Sequence, residues 1–253
     1  MNVKDYMELI ERAAPPALAY EWDNVGLMLG DPAQEVTSVV LCVDMTMEVL
    51  QKAKELGANL IITHHPVIFD PLYTLETGHA SNRRIVQAIK QDITVLSYHT
   101  NLDRAPAPVG VNYSLALTLG LENIRLAEDG FHWYGDLPAG ITASDFTRYI
   151  DSALDTDGKA LYNKGPDALI KRVGVSCGAY DEEAGWLSVC GCDALVTGEA
   201  KQSELVDLSF EDITVYLAGH YATELPGMRA LSDILPGEVF LCEVPAGDGA
   251  LSK

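Results

Sequence analysis

Three short apolar runs in this chain each stop at side chains that ligate metals. Leu60-Ile61-Ile62-Thr63 leads into His64-His65-Pro66, and Val95-Leu96-Ser97-Tyr98 leads into His99-Thr100-Asn101-Leu102-Asp103. Val215-Tyr216-Leu217-Ala218-Gly219 leads into His220-Tyr221-Ala222-Thr223-Glu224. Runs of this length and composition read as strands, and open parallel sheets bind ligands beyond the carboxyl ends of their strands. The fold expected is therefore one in which strands distant in sequence end on the same side.

Alternating βα units do this. Strands are expected at 38–44, 60–63, 94–99, 172–176, 194–197 and 214–217, and helices at 47–56, 82–90 and 111–119. Gly57 and Gly120 follow two of these helices, where a left-handed residue ends a helix at little cost. Regularity lapses from 121 to about 138 and resumes as a helix over 141–154, opened by Thr142 or Ser144 as cap. The fold class is α/β, with two interlinked lobes around largely parallel or mixed sheets and the metal site between them. One lobe takes 1–125 with 220–253, the other 126–219. The tail from Pro245 is expected to fray.

A 253-residue chain with 48% hydrophobic content can build a sizeable core. Its formal charge of −20, from 37 acidic against 17 basic side chains, repels a phosphodiester backbone. Arg83-Arg84 and Lys171-Arg172 are the densest basic pairs, and both read as solvated surface. Nucleic acid is thus not the expected partner. The residues after Met1 form no signal-peptide core, and no apolar run approaches the about 20 residues of a membrane span. Five scattered cysteines, an odd number, fit a reducing, cytoplasmic setting. Cys190 and Cys192 read as core thiols rather than a metal pair.

Adjacent residues on a regular strand face opposite ways, so His64 and His65 can share a site only if Pro66 takes the chain out of the ladder. His220 and Glu224, four apart, share one helix face if a helix starts near 220. Singly, each group has a blander reading. His99 suits a hydrogen-bonded core histidine, Asp103 a turn or capping aspartate, and Glu224 a solvated first-turn acid favoured by the helix dipole. Together, four of six histidines and two acids follow the ends of three apolar strands. His79 and His132 lack such settings and read as surface or loop residues. An imidazole–carboxylate set without thiolates suits Zn, Fe, Mn, Co or Ni.

Five segments, in order, carry a family resemblance: Glu21-Trp22-Asp23-Asn24-Val25-Gly26-Leu27, Thr63-His64-His65-Pro66, His99-Thr100-Asn101-Leu102-Asp103, Thr197-Gly198-Glu199 and Gly219-His220-Tyr221-Ala222-Thr223-Glu224. The chain resembles the NIF-three-like family, whose members are also called type-two GTP cyclohydrolase I homologues. The resemblance implies a two-lobed protomer, a toroidal homohexamer built from trimers, and two divalent ions per subunit facing an internal cavity. By position, His65 and Asp103 would bind one ion, His64 and His220 the other, and Glu224 would bridge them. His99 would lie nearby without being a constant ligand. Asn24 would sit on the substrate side, with Glu199 lining the same cleft behind the ligands. The chain resembles the shorter form, which lacks the domain inserted between the lobes of longer members. One departure is Cys177-Gly178-Ala179-Tyr180, where members often have a glycine-richer turn, so an amide cradle for phosphate there is less assured.

Metal-assisted hydrolysis of a nucleotide or other phosphorylated small molecule is the chemistry expected of such a pair of ions. No Walker-type loop or guanine reader marks GTP as the substrate. Metal delivery without turnover and an oligomeric regulatory module are the alternative readings.

Overall fold

A computed structural model describes residues 1–181 and 183–244. The chain forms two compact units, Met1–Val109 together with the segment from Met228 onward, and Gly110–Gly227. The two crossings fall at 109/110 and 227/228, against 125/126 and 219/220 expected from the sequence. The tail from Pro245 lies outside the described residues.

The first unit opens with α1 (Val3–Ala13) and continues through β1 (Gly26–Leu29), β2 (Val39–Cys42), α2 (Met47–Glu55), β3 (Leu60–Thr63), α3 (Ala80–Lys90), β4 (Thr94–Ser97) and the single turn α4 (Thr100–Asp103). The second unit runs through α5 (Val111–Thr118), β5 (Glu122–Leu126), β6 (Trp133–Thr142), α6 (Ala143–Leu154), β7 (Lys159–Tyr162), β8 (Leu169–Tyr180), α7 (Gly185–Cys190), β9 (Ala194–Ala200), α8 (Gln202–Leu208) and β10 (Thr214–Leu217). The chain then enters α9 (His220–Ile234), along which it passes back to the first unit and ends, as described, in β11 (Val239–Leu241).

Both sheets are mixed. In the first, ordered β1-β4-β3-β2-β11, four strands are parallel and β1 runs antiparallel at the edge. Every residue of β2, β3 and β4 is buried, as the continuous apolar runs require of strands covered on both faces. Register pairs Cys42 with Thr63 and Thr63 with Ser97, so these three strands end level. In the second sheet, ordered β5-β6-β8-β9-β10-β7, only the β8-β9 and β9-β10 pairings are parallel. β10 ends at Leu217 opposite Thr197, and β9 runs on beyond it to Ala200. Among the described residues no helix is long and apolar enough to cross a membrane.

Residues 121 to 138, expected to be irregular, instead contain β5 and the first half of β6, paired antiparallel. β5 lies at a sheet edge and is exposed along most of its length, so its sequence carries no alternation to read. β6 buries Trp133, Gly135 and Leu137 in alternation, then shifts register between Asp136 and Ile141, where Pro138 cannot donate to the ladder. Helix α1 carries its own readable signal, since Asn2 and Asp5 form a reciprocal cap and Val3, Tyr6 and Ile10 are buried.

His132 is not a surface residue. It is 2% exposed, stacks on Trp186 at 4.2 Å and 6°, and contacts Asp129 through Nδ1 at 2.9 Å. Burial alone pushes the Asp129 carboxyl up. The bonds from His132 and from the Phe131 and His132 amides outweigh it and bring the group down to about 2. A carboxylate depressed on folding contributes stability above its unfolded value near 3.9, and the contribution is lost as pH falls toward about 2. Asp129→Asn is therefore expected to cost about 1 kcal/mol at pH 7, discounted for partial exposure, and to approach wild type in urea titrations near pH 2. A gap that stays constant with pH would contradict a carboxyl held low by these bonds.

Candidate metal centre

In the first unit the chain leaves the sheet just after Thr63. The His64 amide donates to the carbonyls of Cys42 and Val43 at 3.1 and 3.2 Å, and the His65 amide donates to Val43 at 3.0 Å. Thr63 closes the turn by donating its hydroxyl to the His65 carbonyl at 2.7 Å. Both imidazoles thus project from a bend before Pro66 rather than from opposite faces of a strand.

Each imidazole is held by its Nδ1. His64, fully buried, meets the Tyr98 carbonyl at 2.9 Å; His65 meets Asp44 Oδ1 at 2.9 Å; His99 meets Asp23 Oδ1 at 2.9 Å. A carbonyl oxygen can only accept, so His64 carries its proton on Nδ1 and turns Nε2 inward. One ring nitrogen from each of His64, His65 and His99 lies within 4.8 Å of the other two. Asp103, buried at the end of α4, brings Oδ1 to 3.3 Å from His64 Nε2. Two acceptors meet there in a buried place, and a proton or a metal cation between them removes the repulsion.

Asp23 and Asp44 were not singled out as site residues by the sequence. Asp23 has no exposed side-chain surface. Besides His99, it accepts the Thr100 amide at 3.0 Å and the Thr100 hydroxyl at 2.5 Å. Burial raises its carboxyl, but the bonds from His99 and Thr100 dominate and bring it down to about 2. The available signal was the three-residue reach of Trp22-Asp23-Asn24. Asn24, expected on the substrate side, is exposed and donates its side-chain amide to the Ile68 carbonyl at 2.7 Å.

In the second unit Gly219, at φ +96°, turns the chain into α9, and His220 is its first residue. The expected helix start is borne out: His220 Nε2 lies 2.9 Å from Glu224 Oε1, one turn on. Its Nδ1 lies 3.0 Å from Glu199 Oε1 at the end of β9. A neutral imidazole has one N–H for two carboxylates, so this arrangement too is completed by a cation or a second proton. Glu224 is 3% exposed. Gly178, at φ +64°, passes beneath it, and a Cβ there would sit 2.7 Å from Glu224 Oε1 and 3.3 Å from His220 Nε2.

The segment 177–180 is the end of β8, not a phosphate-binding turn. The Cys177 amide donates to Asn112 Oδ1 at 2.7 Å and the Gly178 amide to Thr223 Oγ1 at 3.0 Å, so neither serves as an anion cradle. Cys192 is buried, which pushes its thiol up to about 12, and burial also raises Cys190, as suits protonated packing thiols. His79 is exposed before α3.

An α/β chain with strand-end imidazoles, each oriented through Nδ1 and set against carboxylates, has the donor chemistry of proteins that bind divalent metal ions. The chain belongs to the Duf34/NIF3 (NGG1p interacting factor 3) family, whose model matches residues 1–244. It is 30% identical over 240 residues to a Clostridium perfringens protein named GTP cyclohydrolase 1 type 2 homolog, covering 92% of this chain and 90% of that one. Among solved structures, a Staphylococcus aureus hypothetical protein is similar with a TM-score of 0.86 at 26% identity, covering 96% and 97% of the two chains. A Bacillus cereus protein related to NIF3 matches in fold with a TM-score of 0.86 at 21% identity, covering 97% and 98%.

Gly178→Ala is expected to destabilise the protein by about 2–3 kcal/mol, combining left-handed strain with the clash against Glu224. Gly57→Ala is the control, because Gly57 has φ +65° but open space around it, and strain alone should cost about 1 kcal/mol. Equal losses in thermal unfolding would show that the contact beneath Glu224 is not tight.

Proposed function

We propose that the chain is a dinuclear metal-dependent hydrolase acting on a nucleotide or other small molecule. The observation that carries this reading is the shared orientation of four imidazoles, His64, His65, His99 and His220, each engaged through Nδ1 by a carbonyl or carboxylate. Protein-held metal sites commonly use this outer support to fix the ligand's tautomer. In the assignment that the family resemblance implies, His65 and Asp103 would hold one ion, His64 and His220 the other, and Glu224 would bind both. Two divalent ions, when bound, supply Lewis acidity and lower the pKa of water.

The chain's own residues do the rest. Asp23 holds the His99 ring so that Nε2 is the atom able to accept a proton from attacking water and return it to the leaving group. Glu199 orients His220, and the buried Glu224 sets its carboxylate against the other nitrogen of the same ring. The relatives' name motivates testing GTP first, with hydrolysis opening the purine ring at carbon eight. We also propose a homohexameric assembly and a cytoplasmic setting, the latter in keeping with five free cysteines.

Elemental analysis of protein purified without added metal is expected to find two divalent ions per chain. A nucleotide and phosphoester screen is expected to show turnover that chelation abolishes and metal restores. His64→Ala and Glu224→Ala should lower turnover by at least about a hundredfold while circular dichroism is unchanged. Two ions without turnover would instead favour metal storage or delivery. Asp103→Asn is expected to deplete one ion more than the other, and equal loss of both would refute the assigned partition.

A further inference from the structure

Beside the histidines of the first unit stands an aromatic group that the proposed metal chemistry does not use. Trp22 is 58% exposed and Phe69 47% exposed. Their rings lie 5.8 Å apart, tilted by 43°. The Trp22 indole stacks on Tyr20 at 5.4 Å and 15°, and the Arg104 guanidinium lies 5.1 Å from the Tyr20 ring centre. The indole also meets His99 edge-on, with ring centres 6.2 Å apart. Large exposed aromatics rarely cluster without a partner.

The shelf is exposed yet held in place. Trp22 precedes Asp23, whose buried carboxylate anchors both His99 and Thr100. Next comes Asn24, whose amide grips the carbonyl of Ile68, the neighbour of Phe69. The backbone carrying both rings is thus tied immediately after the indole, at Asp23 and Asn24, and tied to the same histidine that borders the metal ligands. Such preorganisation removes much of the ordering cost of binding.

We propose that Trp22 and Phe69 form a stacking shelf that selects substrates with a planar heteroaromatic ring and aims that ring's substituents toward His99 and the metal ligands. This rests on the hydrolase reading and narrows its substrate class. A flat ring is the natural next member of the column Arg104, Tyr20, Trp22. A guanidinium already occupies a face of Tyr20, which weighs against a second cation as the ligand. The formal charge of −20 makes a neutral ring a better handle than a polyphosphate. The class includes purine and pyrimidine nucleosides and excludes aliphatic phosphoesters.

The test is equilibrium binding of guanosine, cytidine and ribose 5-phosphate to the metal-loaded and the chelated full-length protein, followed by indole fluorescence and calorimetry. At least one nucleoside is expected to bind more tightly than ribose 5-phosphate and to quench the indole. Trp22→Ala should weaken that binding by about tenfold or more. Phe69→Ala should weaken it less, and Trp22→Phe should restore most of it. Nucleoside binding that survives chelation and still depends on Trp22 supports the shelf even if the metal reading fails. Metal-dependent turnover with wild-type nucleoside affinity in Trp22→Ala overturns the shelf and leaves the hydrolase standing. Preference for ribose 5-phosphate in every form overturns it as well. So does Trp22→Ala changing the sedimentation-defined oligomer while nucleoside affinity holds, since the aromatics would then be a subunit face.

Discussion

Imidazole has two nitrogens and, when neutral, one proton, and the candidate centre is built on deciding where that proton sits. The Tyr98 carbonyl decides it for His64, because a carbonyl accepts and never donates. Carboxylates hold the same nitrogen of His65, His99 and His220. The opposite nitrogens of His64 and His220 then face the carboxylates of Asp103 and Glu224 at 3.3 and 2.9 Å. Assembling acceptors against acceptors is unfavourable unless a positive charge joins them. The tension is local, it involves the buried His64, Asp103 and Glu224, and it recurs in both units.

The sheets deliver these groups to their places. In the first unit β2, β3 and β4 end level, so the residues after each of them, Asp44, His64 with His65, and His99, emerge along one edge. In the second, β10 stops at Leu217 opposite Thr197 while β9 runs on through Glu199, which comes beside His220. The ligand positions are thus a consequence of register. A one-residue slip in any of these strands would turn its terminal side chain to the other face.

Close approach required its own sequence choices. Gly178 lets β8 pass under Glu224 where a Cβ has no room, and its amide holds Thr223 on the same helix turn. The Trp22-Asp23-Asn24 segment alternates an exposed ring with two anchored polar side chains. That segment shows how neighbouring residues divide the tasks of binding outward and bracing inward.

Much of this was legible from residue order alone. The strands 60–63 and 214–217 have the bounds expected, and the helix start at His220 follows from the spacing to Glu224. Apolar runs, strand-end ligands and five ordered motifs sufficed for the α/β class and the family, because burial on both faces and helix periodicity leave direct traces in sequence. The edge strand β5, the bulged β6 and the burial of His132 left none, since exposed strands need no alternation and a histidine's surroundings come from Trp186, 54 positions away. Asp23 and Asp44 belong with them. An aspartate's part in a site depends on which imidazole the fold brings within hydrogen-bonding distance, and that distance is set by packing between segments 76 and 21 residues apart.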